Sequence, residues 1–234
     1  MSYKTELHCH TNFSGCSNVP AADMVEKYVA AGYSTVVVTN HFNPGHLSRE
    51  GSFDKLVRGY FDAIEEARAA AKGKLNIIAG MELTTHYMPN DFLLYGITEE
   101  FVRGIGEDIF STAPWHFKSR FEGENIIVIQ AHPFRFGQTT VDPIHVHGIE
   151  VFNGHTGQYS HNSFTKQWIK YMEGLGKIGD GFILTSGTDH HDDTHYPTGG
   201  IDTECEIKTS EKLLSVLRSG NYELITTYLG RVDE

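Results

Sequence analysis

The chain has 234 residues, 39% hydrophobic and 21% charged, an ordinary globular balance that excludes a fibrous or wholly disordered chain. Against 30 Asp and Glu stand 19 Lys and Arg, so the net charge is −11. That argues against a general binder of long nucleic acids or anionic membranes, although bound divalent cations can reverse the sign locally for a small anionic substrate.

The candidate elements alternate. Residues 5–8 read as a short strand. Residues 20–31 predict a helix, with Met24, Val25, Tyr28 and Val29 on one face and Gly32 as its stop. Residues 35–39, rich in Val and Thr, predict a second strand. Residues 53–72 predict a long helix with Leu56, Val57, Tyr60 and Ile64 at helical spacing. Strands are expected at 75–79 and 92–95, and helices at 99–110 and 115–121. Residues 126–130 read as a buried strand and 148–152 as a shorter one. A helix follows at 163–175, where Phe164, Trp168 and Met172 form an apolar stripe expected to be core. Residues 182–186 predict a seventh strand. A last helix is expected at 210–219, with Ser210 as its cap and Gly220 as its stop.

About seven strands with helices between most of them favour an α/β fold with a parallel sheet. At this length a closed TIM-like barrel over residues 1–234 is the leading form, and a doubly wound open sheet is the alternative. The longest aliphatic runs, 36–38 and 126–129, fall far short of the ~20 residues of a membrane span. The N-terminal residues lack an apolar signal core. Three cysteines, few and odd in number, suggest a reducing compartment, so the expected location is cytoplasmic.

Histidine is unusually frequent, at 14 residues. In a barrel, functional groups belong at the C-terminal ends of the strands. His8 and His10 close the first strand and share a face, because residues two apart in a strand point the same way, while Cys9 faces opposite. His41 follows the second strand and Glu82 the third. Asp91 immediately precedes the strand at 92–95. His132 ends the fifth strand, Glu150 lies in the sixth, and Asp189 and His191 end the seventh. Mixed imidazoles and carboxylates suit Zn, Mn or Fe, and a carboxylate can bridge two ions.

The ordered set of His8-Cys9-His10-Thr11, Thr39-Asn40-His41, Gly80-Met81-Glu82, Ala131-His132-Pro133-Phe134-Arg135, Glu150-Val151-Phe152-Asn153-Gly154 and Gly187-Thr188-Asp189-His190-His191 resembles the PHP (polymerase and histidinol phosphatase) family, from His8 to about Thr203. The resemblance implies a distorted (β/α)7 barrel and two or three divalent metal ions (Mn, Zn or Fe). It further implies hydrolysis of phosphate esters of a small metabolite or nucleotide by a metal-activated water. His8, His10, Glu82 and Asp189 would hold one ion. Glu82 would bridge to a second, shared with His132, with Asp91 standing where relatives often have His. His41 and His191 would hold a third.

At that third site relatives commonly carry an Asp soon after the first His pair, and this chain has Gly15 followed by Cys16. Either Cys16 replaces that ligand, or the site is weak, water-completed or absent. Arg135 is the candidate for gripping a phosphate oxygen, with a surface salt bridge as its other reading. Asp189 and His191 join it as candidate catalytic residues, a protonated His191 or His41 serving as donor to the leaving group if not engaged as a ligand.

The remaining polar groups are expected in supporting or bland roles. His155 is a candidate pocket residue, Glu150 is expected in a structural role with metal ligation as its alternative, and Asn153 is expected to support a ligand or contact the substrate. His145 and His147 should lie at the opposite end of the barrel. His190 has the wrong parity for a ligand. His46, His86, His116, His161 and His195 are expected to be surface or packing residues, Cys9 and Cys205 buried small ones, and Asp192 and Asp193 solvated. A non-phosphate hydrolase and a non-catalytic metal-binding module are the rival readings. The substrate, the metal and the oligomeric state are not legible.

Overall fold

The protein is described by a computed structural model covering residues 2–155 and 159–227. Ten strands form one mixed sheet: β1 (Tyr3–Cys9), β2 (Tyr33–Val38), β3 (His41–Phe42), β4 (Asn76–Thr85), β5 (Met88–Tyr95), β6 (Ile127–Gln130), β7 (Gly148–Asn153), β8 (Ile183–Gly187), β9 (Gly199–Thr203) and β10 (Glu223–Thr226). The order is β10-β9-β1-β2-β4-β5-β6-β7-β8, with β3 paired to β4. The chain just past β8 returns to β1. Asp189 N donates to His8 O at 2.8 Å, His10 N donates to His190 O at 3.2 Å, and Cys9 and His190 form a parallel bridge. The sheet is thereby a nearly closed barrel.

Helices α1 (Ala21–Ala30), α2 (Pro44–Glu50), α3 (Phe53–Ala71), α4 (Glu99–Ile105), α5 (Phe117–Arg120), α6 (Tyr159–Gly174) and α7 (Ser210–Ser219) connect the strands. Strand alternation divides the core. Val36 and Val38 face one apolar cluster with Met24 and Tyr28 of α1 and Leu56, Tyr60 and Ile64 of α3. Val37, Ile78, Leu93, Ile127 and Ile129 face a second, interior cluster, which Leu213, Leu214 and Leu217 of α7 join. Ser52 caps α3 by accepting from Lys55 N.

Two differences from the sequence reading reposition the site. First, β4 runs through Glu82 to Thr85, and only His86 and Tyr87 separate it from β5, so the two pair antiparallel. So short a connection cannot join parallel strands. β5 is also antiparallel to β6. Second, β9 and β10, absent from the sequence reading, extend the sheet antiparallel beside β1.

Smaller corrections concern helices and exposure. The region expected as a helix at 99–110 is α4 followed by a 3-10 turn at Gly106–Ser111, and 115–121 is a 3-10 turn at Pro114–His116 leading into α5. The cap of α7 is Thr209, whose side chain accepts from Lys212 N, and not Ser210. Phe164 is half exposed, so the expected core stripe on α6 is narrower, and Cys205 is exposed. Among the described residues no helix is long and apolar enough to cross a membrane.

Candidate metal centre

Every carboxylate and imidazole singled out as a ligand lies at one end of the barrel. The strand pattern explains why. His8 and His10 end β1, His41 opens β3, His132 follows β6, and Asp189 follows β8. Asp91 sits early in β5, and because β5 runs antiparallel its start lies at the same end as the C-termini of its neighbours. Cys9 turns outward into the apolar layer.

Glu82 is at the centre. Its Oε1 is 2.9 Å from His132 Nε2 and 3.4 Å from His8 Nε2, and its Oε2 is 2.9 Å from His41 Nδ1 and 3.2 Å from His10 Nε2. Asp189 Oδ1 is 3.3 Å from His8 Nε2, 3.2 Å from His10 Nε2 and 3.2 Å from His191 Nδ1. Asp91 Oδ2 is 3.9 Å from His132 Nε2. His8, His10, Glu82 and Asp189 are fully buried, yet neither Glu82 nor Asp189 pairs with Lys or Arg among the described residues.

The ring nitrogens are sorted by their other partners. His8 Nδ1 donates to Glu150 Oε1 at 2.9 Å, which leaves Nε2 as the nitrogen facing the carboxylates. His132 Nδ1 donates to Gln138 Oε1 at 3.1 Å, with the same consequence. The Ser14 hydroxyl spends its proton on Asn40 Oδ1 at 2.9 Å, so toward His10 Nδ1, also 2.9 Å away, it accepts. His191 Nδ1 donates to Asp189 O at 2.9 Å, and His46 Nδ1 donates to His41 O at 2.9 Å.

The donor set fits metal ions. His8 Nε2, His10 Nε2, His41 Nδ1, Glu82 Oε2 and Asp189 Oδ1 are all buried without a hydrogen-bond partner. Buried polar atoms are rarely left in this state, and five converging in one place mark a site built for ions. Groups able to hold an ion among the described residues are His8–His10–Glu82, His8–His132–Asp189, His41–Glu82–Asp91, His10–Cys16–His41–His191 and His155–His191–His195.

The charge balance shows the strain of such a site. Burial would raise the Glu82 and Asp189 carboxyls, but the imidazoles of His41 and His8 hold the first, and those of His8 and His191 the second, well below the usual carboxylate range. Burial opposes protonation of His8 and His41, but Asp189, Glu150 and Glu82 around His8, and Glu82 beside His41, raise both. At His191 Asp189 overcomes burial and pushes the ring up to about 10. His10, dominated by burial, falls to about 4. At Cys16 burial is outweighed by hydrogen bonds to His191 and His41, which lower the thiol to about 7. The backbone is strained here too: His132 has φ 23° and Asp189 φ 55°. Such conformations cost of order 1–3 kcal/mol in a non-glycine residue and concentrate at functional sites.

A cavity of about 520 Å³ opens beside the cluster, lined by Cys16, Ser17, His41, Arg135, His155 and His191. Arg135 is half-buried and makes no ion pair among the described residues, so the surface salt bridge is not what the structure shows. The His155 ring is 5.1 Å from that of His191. His190 turns away, against Tyr28 and Lys27. His147 lines a separate cavity with Lys118 and Arg218.

The sequence reading expected Glu150 and Asn153 in supporting roles but did not single out Glu6. Glu150 Oε2 accepts from His132 N at 2.9 Å and Asn153 Nδ2 at 3.0 Å, and Asn153 Nδ2 also reaches Asp189 Oδ2 at 3.1 Å. Glu6, wholly buried, accepts from Leu7 N, His8 N, Thr188 N, the Thr188 hydroxyl and Tyr28 Oη, tying the end of β1 to the segment that carries Asp189. The only sequence signal for Glu6 is an acidic side chain inside a buried strand.

The PHP domain model matches residues 6–196. No curated protein is significantly similar in sequence. Among solved structures, the chain is similar to a two-domain protein from Bacteroides vulgatus containing a predicted PHP-like metal-dependent phosphoesterase. The TM-score is 0.65 at 17% identity, over 99% of this chain and 67% of that one. It is also similar to a predicted metal-dependent phosphoesterase from Bifidobacterium adolescentis (TM-score 0.52, 13% identity, 92% of this chain and 96% of that one). An amidohydrolase from Chromobacterium violaceum, solved with sulfate and no metal, has TM-score 0.55 at 12% identity, over 91% of this chain and 96% of that one.

Proposed function

The chain belongs to the PHP domain family, and from that membership we propose that it is a metal-dependent hydrolase of phosphate esters, acting on a small metabolite or nucleotide. The observation that carries the proposal is Glu82: a buried carboxylate faced by His8, His10, His41 and His132, with no Lys or Arg paired to it among the described residues.

His8, His10, Glu82 and Asp189 would hold one divalent ion, and Glu82, His132 and Asp91 a second. Paired ions of this kind lower the pKa of water and neutralise phosphate oxygens. The remaining work falls to the chain. Glu150, Gln138 and Ser14 fix the ligand rings so that their lone pairs face inward. Arg135, on the wall of the cavity, grips a phosphate oxygen through its guanidinium. Asp189 orients His191, which donates a proton from Nε2 to the leaving oxygen whenever it is not itself a ligand. The acidic chain favours a small substrate over a long nucleic acid. The three free cysteines support a reducing compartment, and we place the protein in the cytoplasm.

The test is release of inorganic phosphate from a panel of phosphomonoesters, diesters and nucleotides by protein loaded with Mn²⁺ or Zn²⁺. Turnover should be metal-dependent and lost in His10→Ala and His132→Ala. Metal-loaded protein that releases nothing from phosphate esters but hydrolyses amides would overturn the phosphate reading.

A further inference from the structure

We propose that Cys16 is a thiolate ligand, which with His41 and His191 makes a third ion site selective for a thiophilic metal such as Zn²⁺. This deepens the reading given under Proposed function and rests on it.

Cys16, His10, His41 and His191 offer ligand atoms within 4.8 Å of one another. The His10 ring is wholly buried, and its Nε2 has no hydrogen-bond partner. That nitrogen faces Glu82 and Asp189 and serves the neighbouring ion. Cys16, His41 and His191 remain as a three-ligand set, and their positions on the cavity wall leave a fourth position for water or substrate. The His191 ring already gives its Nδ1 proton to Asp189 O, which frees Nε2.

The local backbone explains why the ligand sits at 16 and not at 15. Gly15 has φ 74°, a conformation that an L side chain rarely adopts. A Cβ there would lie 2.4 Å from Arg49 Nη1, whose guanidinium also donates to Phe13 O at 3.0 Å. A side chain at 15 would have to adopt that backbone conformation and displace the Arg49 guanidinium. The left-handed turn at Gly15 instead carries the next side chain to His41 and His191.

Thiolate changes the choice of metal. Sulfur ligands select Zn²⁺, Co²⁺ or Fe²⁺ over Mg²⁺ and Mn²⁺, whereas the Glu82–Asp91 side, rich in oxygen, accepts harder ions. The centre is therefore of mixed character, and loading the third site releases the Cys16 thiol proton to solvent.

Titration of the metal-free protein with Co²⁺ tests this by absorption and by bound-ion count. Wild type should develop a near-ultraviolet thiolate-to-cobalt charge-transfer band. Cys16→Ser should lose that band and bind one ion fewer, while Cys205→Ser keeps both. Metal should also protect Cys16 from alkylation, mapped by peptide mass, a readout that needs no variant to fold. Cobalt bound without the band, or a band that survives in Cys16→Ser, would overturn the thiolate site and leave the rest of the centre standing. No bound cobalt at all would overturn both.

Discussion

Glu150 Oε1 accepts the Nδ1 proton of His8 at 2.9 Å, and the other oxygen of the same carboxylate accepts from the backbone N of His132. One buried side chain on β7 thus sets a ring on β1 and the strained turn after β6. Removing a carboxylate of this kind typically costs about 10–100-fold in metal affinity. Glu150→Gln should therefore weaken metal binding by that factor in a chelator competition, with far-UV circular dichroism unchanged. Unchanged affinity would make Glu150 a packing residue only.

Gly187 gives that contact its room. A Cβ on Gly187 would lie 2.3 Å from His8 Cβ and 2.7 Å from Glu150 Oε1. Gly187→Ala should lower the metal content of the purified protein and its melting temperature together. A variant with full metal content would show that the barrel yields at this point.

Metal loading should release protons. The raised His8, His41 and His191 are protonated at neutral pH in the metal-free chain and must lose a proton to ligate, whereas His10, at about 4, is already neutral. Calorimetric heats should therefore vary with the ionisation enthalpy of the buffer, and affinity should rise with pH. Heats independent of the buffer would contradict the assignment.

The stability of the metal-free protein follows the same groups. A histidine raised on folding contributes stability that is complete below about pH 6.5 and fades as pH climbs through its folded value, about 10 for His191. The depressed Glu82 and Asp189 contribute above their ordinary range and fade in acid. Metal-free melting temperatures should fall between pH 7 and pH 10, and bound metal should remove most of that fall. A flat profile without metal would argue that these charges are not coupled as described.

Arg135→Ala should raise KM for phosphorylated substrates and spare stability. A hydrogen bond to a charged group is worth about 1.5–3 kcal/mol, which converts to roughly 10–150-fold. An effect confined to kcat would instead place Arg135 on the transition state alone.

Much of the site could be read from residue order, because ligands at strand ends need only the strands to be found. His8 and His10 illustrate this: two positions apart on one strand, they face the same carboxylates. Asp91 could be singled out but its placement could not be understood, since the apolar run Phe92-Leu93-Leu94-Tyr95 looks the same in either strand direction. Ending the preceding strand at Ala79 hid the hairpin that decides it. β9 and β10 were missed because Gly199-Gly200 and the short 223–226 segment carry little strand signal and pair only through distant neighbours. Glu6 looks like an ordinary acidic residue, and the donors that Glu150 accepts from stay hidden, until the fold delivers them.

The most direct test of the account is the metal content of the folded chain after loading and exhaustive dialysis, measured by elemental analysis for wild type and Glu82→Ala. The account predicts at least two tightly held ions in wild type and the loss of most of them in the variant, since Glu82 faces four of the imidazoles. A folded wild type that retains no ion, or a Glu82→Ala protein that retains them all, would contradict it.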